Sequence, residues 1–174
     1  MFSKKITTRE IALMGVLMAL QLILTRFLSI QTPFVRIGFS FIPTALMAMT
    51  FGPMLTGVGS LLSDFVGISL FPVTGPYFPG FSFSTFLTGV IYGWFFYKKE
   101  LTWSRIIVAN LLVTIIVDIF LNTLWLYMMM GPIAIAQLPL RVGKNIIQFP
   151  IKVFIMYFLG HNVVLQKQLT RFAK

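Results

Sequence analysis

Apolar residues run along this chain in long blocks, and polar residues gather where the blocks end. A membrane helix needs about 20 apolar residues, and blocks of this length mark such helices. Six are predicted: Arg9–Leu28, Phe39–Phe51, Met54–Phe71, Phe83–Tyr97, Arg105–Met130 and Pro139–Val164. The second and fourth are short for a full crossing. Gly52 and Pro53 break the chain between the second and third blocks. The pattern therefore predicts an all-α membrane protein with six transmembrane helices, forming a single domain over residues 1–174.

Three connecting stretches, Ser29–Gly38, Pro72–Ser82 and Gly131–Leu138, are rich in Gly, Pro and aromatic residues. They fall on one side of the membrane. Both termini, the Gly52-Pro53 turn and "KKELTWSR" fall on the other. That second side carries Lys4, Lys5, Arg9, Lys98, Lys99, Arg105, Lys167, Arg171 and Lys174, against Arg26, Arg36 and Arg141 on the first. Cytoplasmic loops collect Lys and Arg, so both termini are expected in the cytoplasm. The first block follows charged residues as a signal peptide would, but it runs into "LTRFLSI" without a small-x-small cleavage site. It is expected to stay as a membrane span in the cell membrane.

Composition agrees with this picture. The chain is 57% hydrophobic and 10% charged, where soluble domains average about 25% charged. A net charge of +10 raises nucleic acid as a partner. The cations flank apolar blocks or lie singly within them, so the bilayer is the expected partner and nucleic acid is not. There is no cysteine and one histidine, His161. No phosphate-binding loop, metal cluster or Ser-His-Asp set is visible. The expectation is a protein without catalysis, metal or cofactor.

Within the blocks, the polar residues form stripes. Asn110, Thr114, Asp118 and Asn122 recur at every fourth position, with Trp125 following. The last block carries Arg141, Lys144, Asn145, Gln148 and Lys152. Polar groups at such depth must face a partner or water. Asp118 lies eleven residues in from Met129, and Lys152 eleven in from Arg141. At 1.5 Å per residue both sit roughly 16 Å deep, which predicts a structural pair. Asp64, Asn122 and Gln148 share a higher level, roughly 10 Å down. A carboxylate and two amides at one level either read the edge of a hydrogen-bonding heterocycle or join helices to one another. Arg141 and Lys144 lie above them, placed to meet a ligand carboxylate. Phe34, Tyr77, Phe78 and Phe81 offer stacking surfaces or interface anchors. Arg26 and Arg36 suit either a ligand anion or lipid headgroups. Ala12, Gly15 and Ala19 form a small-residue row on the first helix, suited to a second helix of this chain or of another protein. Gly59, Ser63 and Gly67 form a similar row, expected to pack internally.

"GPYFPGFSFSTFLTGVIYG", Gly75–Gly93, together with "LSDFVG", "LNTLW" and "LPLRVGKNIIQFPI", resembles the substrate-binding S components of energy-coupling-factor vitamin transporters, most closely the folate-specific branch. The resemblance covers nearly the whole chain. It implies a high-affinity subunit that captures folate outside the cell. Delivery then runs through a transmembrane coupling subunit and two ATP-hydrolysing subunits. It implies that the row at Gly15 and Ala19 meets the coupling subunit, with Gly standing where the family usually has Ala. The pterin of folate would meet Asp64, its aminobenzoyl ring the aromatics, and its glutamate the cations. Another vitamin such as pantothenate, or a stand-alone channel or carrier, remains as the alternative.

Overall fold

The structure is a computed structural model describing residues 7–31, 36–71 and 78–162, apart from the side chains of residues 30, 31, 36 and 37. The described chain is almost entirely helical. Helix α1 (Thr8–Arg26) begins at a capping box, in which the Thr7 hydroxyl accepts from the Glu10 N–H and Glu10 accepts from the Thr7 N–H. Two three-residue strands follow, β1 (Ser29–Gln31) and β2 (Arg36–Gly38), paired antiparallel with Ser29 opposite Gly38. The loop expected at Ser29–Gly38 thus contains a short hairpin.

Helices α2 (Phe41–Phe51) and α3 (Pro53–Leu70) meet at Gly52. Its φ of +82° is a conformation that side chains with a Cβ rarely adopt, and the Tyr97 ring closes over it. Pro53 then starts α3, where its missing N–H costs nothing. Helix α4 (Pro79–Phe96) starts four residues before the predicted span. "PGF" reads as a turn in the sequence, yet Pro79 also serves as a helix first residue.

The predicted fifth span, Arg105–Met130, is one long rod in three parts: α5 (Trp103–Leu112), a π-helical run (Val113–Leu121) and α6 (Asn122–Met130). A four-residue helix, α7 (Ile133–Ala136), lies in the segment expected to be a loop. Helix α8 (Leu138–His161) carries Pro150 in its interior.

Helices α1, α3 and α8 and the rod Trp103–Met130 are long and apolar enough to cross a bilayer. Large apolar side chains face outward along them, including Phe120, Ile146, Ile147 and Phe158. Such a surface is at home in lipid. The core lies between α2, α4, α5 and α8, where Tyr92, Phe96, Ile106, Ala109 and Met156 are buried. A second cluster, Leu17, Leu46 and Met47, joins α1 to α2.

Lipid supplies little drive to press helices together, so small residues and polar links matter more. A Cβ on Gly89 would lie 2.8 Å from the Thr56 carbonyl oxygen and 2.9 Å from Gly57 Cα, so α3 and α4 touch backbone to backbone. On the other face of α3, Gly59 receives Met14 and Ser63 donates to the Met18 carbonyl at 2.9 Å. Deeper in the core, Tyr92 donates to Asn110 Oδ1 at 2.9 Å, and Asn110 donates to the Ile106 carbonyl at 2.9 Å.

Candidate functional site

Asp64 lies on the buried face of α3, three residues before Gly67. Ser82 at the start of α4 donates to Asp64 Oδ2 at 2.9 Å. Arg26, the last residue of α1, brings Nη2 to 3.8 Å from Asp64 Oδ1. The guanidinium rests against Gly67, where a Cβ would come within 3.0 Å of Nε. Asp64 and Arg26 border a cavity of about 30 Å3 also lined by Gln21, Thr25, Ser40, Ser63 and Thr85. Sequence reasoning passed over Ser82, Thr85 and Gln21. A serine one turn into an apolar helix is a weak signal, and its partner lies eighteen residues away in the chain.

Next to this polar corner is an aromatic one. Phe78 stands 5.7 Å from Trp125 and 6.3 Å from Phe81, ring centre to ring centre. Trp125 Nε1 donates to Ser84 Oγ at 3.1 Å, so its ring is held by α4. Gly80 makes room for it, since a Cβ there would be 2.5 Å from Trp125 Cδ2. Ser82 and Ser84 thus connect one helix to Asp64 and to Trp125.

The cations of α8 behave differently from one another. Lys152 Nζ lies 3.4 Å from Asp118 Oδ2. Arg141 is buried; its Nη1 donates to Thr123 Oγ1 at 2.8 Å and its Nη2 to the Asp118 carbonyl at 3.0 Å. The sequence places Arg141 at the outer mouth, free for a ligand. The structure instead turns its long side chain inward, where carbonyl and hydroxyl oxygens replace water around the charge. Lys144 is half-buried. Gln148 Nε2 donates to the Gly38 carbonyl at 3.0 Å, tying α8 to β2.

The expected level of Asp64, Asn122 and Gln148 is therefore divided. Asp64 belongs to the α1–α3–α4 corner, and Gln148 binds the hairpin. Asn122 Oδ1 is buried without a hydrogen-bond partner among the described residues. Arg36 lies in β2, its side chain outside the described residues, as are Phe34 and Tyr77. Ala12, Gly15 and Ala19 all lie on the exposed face of α1, and a Cβ on Gly15 would meet nothing within 4 Å. The row is not used for packing within the described chain. Gly59, Ser63 and Gly67 do face α1.

The family model for the substrate-specific component of ECF transporters matches residues 9–162. This chain belongs to that family. Two folate transporters named FolT are similar to it. One, from Clostridium novyi (strain NT), is 43% identical over 144 residues, covering 83% of each chain. Another, from Leuconostoc mesenteroides subsp. mesenteroides, is 36% identical over 167 residues, covering 92% of this chain and 89% of the relative. Among solved structures, a crystal structure of FolT bound with folic acid superposes with a TM-score of 0.86 at 47% identity. It covers 90% of this chain and 97% of the other. As a substrate-specific component, the chain is a multi-pass membrane protein and part of a transporter rather than an enzyme.

Proposed function

We propose that this chain is a folate-binding S component, which captures the vitamin outside the cell and delivers it through a coupling subunit and two ATP-hydrolysing subunits. The observation that carries this is the likeness to FolT bound with folic acid, at 47% identity over nearly that whole chain. In this reading six helices cross the bilayer, with α2 as the short one, and both termini are cytoplasmic. Lys98 and Lys99 between α4 and α5, with Arg105 in the first turn of α5, support that orientation.

Asp64 suits a pterin, because a carboxylate accepts from adjacent N–H donors. Phe78, Phe81 and Trp125, with Tyr77 next to them in the chain, suit the flat rings of the ligand. Lys144 and Arg36 suit the two carboxylates of the glutamate tail. Arg141, Asn122 and Gln148 then hold the frame around them. Ala12, Gly15 and Ala19 suit close approach by the coupling subunit, since their face of α1 is exposed.

The test is a titration of the purified chain with folic acid, following Trp94, Trp103 and Trp125 fluorescence corrected for ligand absorbance. A saturable response to folic acid, absent with pantothenate, is expected. The opposite pattern reassigns the vitamin. Folate uptake by liposomes holding the chain alone would make it a stand-alone carrier.

A further inference from the structure

Where α4 turns into α5, three exposed cations, Lys98, Lys99 and Arg105, gather against one carboxylate, Glu100. The Lys99 N–H donates to the Phe96 carbonyl at 3.3 Å, and Tyr97 has φ −63° and ψ 118°. Lys98 follows at φ +52°. This is a type II turn, whose third residue is ordinarily Gly or Asn. A lysine is therefore held where glycine would fit more easily. The rest of the connection is anchored. Leu101 is buried on Gly160 so closely that no Cβ fits there, and the Trp103 ring stacks on Tyr157 with centres 4.0 Å apart. None of the three cations is ion-paired among the described residues. Lys98 Nζ lies 5.2 Å from the centre of the Tyr97 ring. Lys99 Nζ donates to the Trp94 carbonyl at 3.0 Å, and Arg105 Nη1 to the Glu100 carbonyl at 3.2 Å. These neutral partners leave the charge uncompensated and most of the donors unused.

Two tryptophans give the depth of this patch. Trp94 is 71% exposed near the end of α4, and Trp103 is 44% exposed as the first residue of α5. Exposed Trp on membrane helices marks the headgroup level. Lys98 and Lys99 follow Trp94 by about one helical turn, roughly 5 Å, which sets their ammonium groups among lipid phosphates. Trp103, Ile107 and Leu111 recur every fourth residue and are all exposed, so they form an apolar row along α5. A free phosphate ion has no use for that row, whereas an acyl chain can lie along it. We propose that the α4–α5 connection binds one anionic phospholipid, with Lys98, Lys99 and Arg105 on its phosphate and Trp103, Ile107 and Leu111 along an acyl chain. Arg105 can donate to two phosphate oxygens at once. The leaflet, cytoplasmic, rests on the orientation proposed above; the site itself does not depend on folate binding.

The test is native mass spectrometry of the full-length chain in a neutral detergent, titrated with phosphatidylglycerol, phosphatidylcholine or inorganic phosphate. Phosphatidylglycerol should add as a single lipid, about 10-fold more tightly than phosphatidylcholine, because each cation near an anionic headgroup contributes to binding. Inorganic phosphate should add far more weakly than either lipid. In the triple variant Lys98→Gly, Lys99→Gln, Arg105→Gln the preference should shrink to within about threefold, while folic acid affinity stays that of the wild type. Lys98→Gly alone should unfold at the same or a higher temperature without lipid, since glycine suits the positive φ, and yet bind phosphatidylglycerol more weakly. Arg9→Gln removes an exposed cation from the first turn of α1 and should leave the preference intact. Equal binding of the two lipids by the wild type overturns the proposal. So does an Arg9→Gln chain that loses as much preference as the triple variant, which makes the attraction one of diffuse charge. Inorganic phosphate binding as tightly as phosphatidylglycerol also overturns it, in favour of a free-anion site. If the triple variant does not fold, Lys98→Gly and the wild-type preference decide. Failure of the wild type to bind folic acid strikes the folate reading and leaves the lipid site standing.

Discussion

At the scale of single residues, the buried charges divide by what they touch. Lys152 and Asp118 meet each other, at 3.4 Å and with little exposure. Removing one member of a buried pair strands the other, which costs about 3–5 kcal/mol. Lys152→Met should therefore lower the thermal unfolding temperature markedly while folic acid affinity stays within a few-fold. Adding Asp118→Leu should recover much of the loss, as seen by thermal unfolding of the single and double variants. Asp64 differs because one of its oxygens is met by a hydroxyl and the other faces Arg26 across a gap. Asp64→Asn keeps the volume but replaces one acceptor oxygen with a donor. It should weaken folic acid by roughly 10-fold or more, measured by the same titration. Depth counting puts Asp118 and Lys152 on one level because each needs only a helical rise from the membrane edge. It does not reveal that Arg141 bends inward, since reach and rotamer are set by tertiary oxygens that the sequence leaves unassigned.

At the scale of elements, the helices were legible in the apolar blocks, and their ends were less so. The start of α4 hides in "PGF", whose residues suit a turn and a helix N-terminus equally. The hairpin β1–β2 is too short for an alternating pattern to show. The contact of α3 with α4 rests on glycines rather than large side chains. A Cβ on Gly93 would overlap Pro53, so Gly93→Val must push the two helices apart. Overpacking of this kind costs about 1–3 kcal/mol. A lowered unfolding temperature and weaker folic acid binding are expected, because Ser82 rides on α4 and Asp64 on α3. Gly80→Val should act more locally. It displaces the Trp125 ring from the start of α4, and the fluorescence response to ligand should shrink while the fold persists.

At the scale of the whole molecule, the proposed function assigns the exposed small-residue face of α1 to assembly rather than to folding. Gly15→Leu places a side chain where the described chain has open space. The variant should fold and bind folic acid as the wild type does, yet fail to co-purify with the coupling subunit and lose uptake in cells. Loss of binding as well would mean that α1 uses this face for its own fold. The π-helical run has a different consequence for the chain's length. Its hydrogen bonds span five residues instead of four, so Val113–Leu121 contains slack that an α-helix lacks. Deleting the outward-facing Ile115 can tighten the run towards α geometry and leave Asn110 and Trp125 on their own sides. Deleting Val58 from α3 has no such reserve, and it swings Asp64 by about 100° around the helix, away from Arg26. The first shortened chain should keep its affinity for folic acid and the second should lose it. One membrane rod in this protein can then gain or shed a residue over evolutionary time without disturbing what its two ends hold.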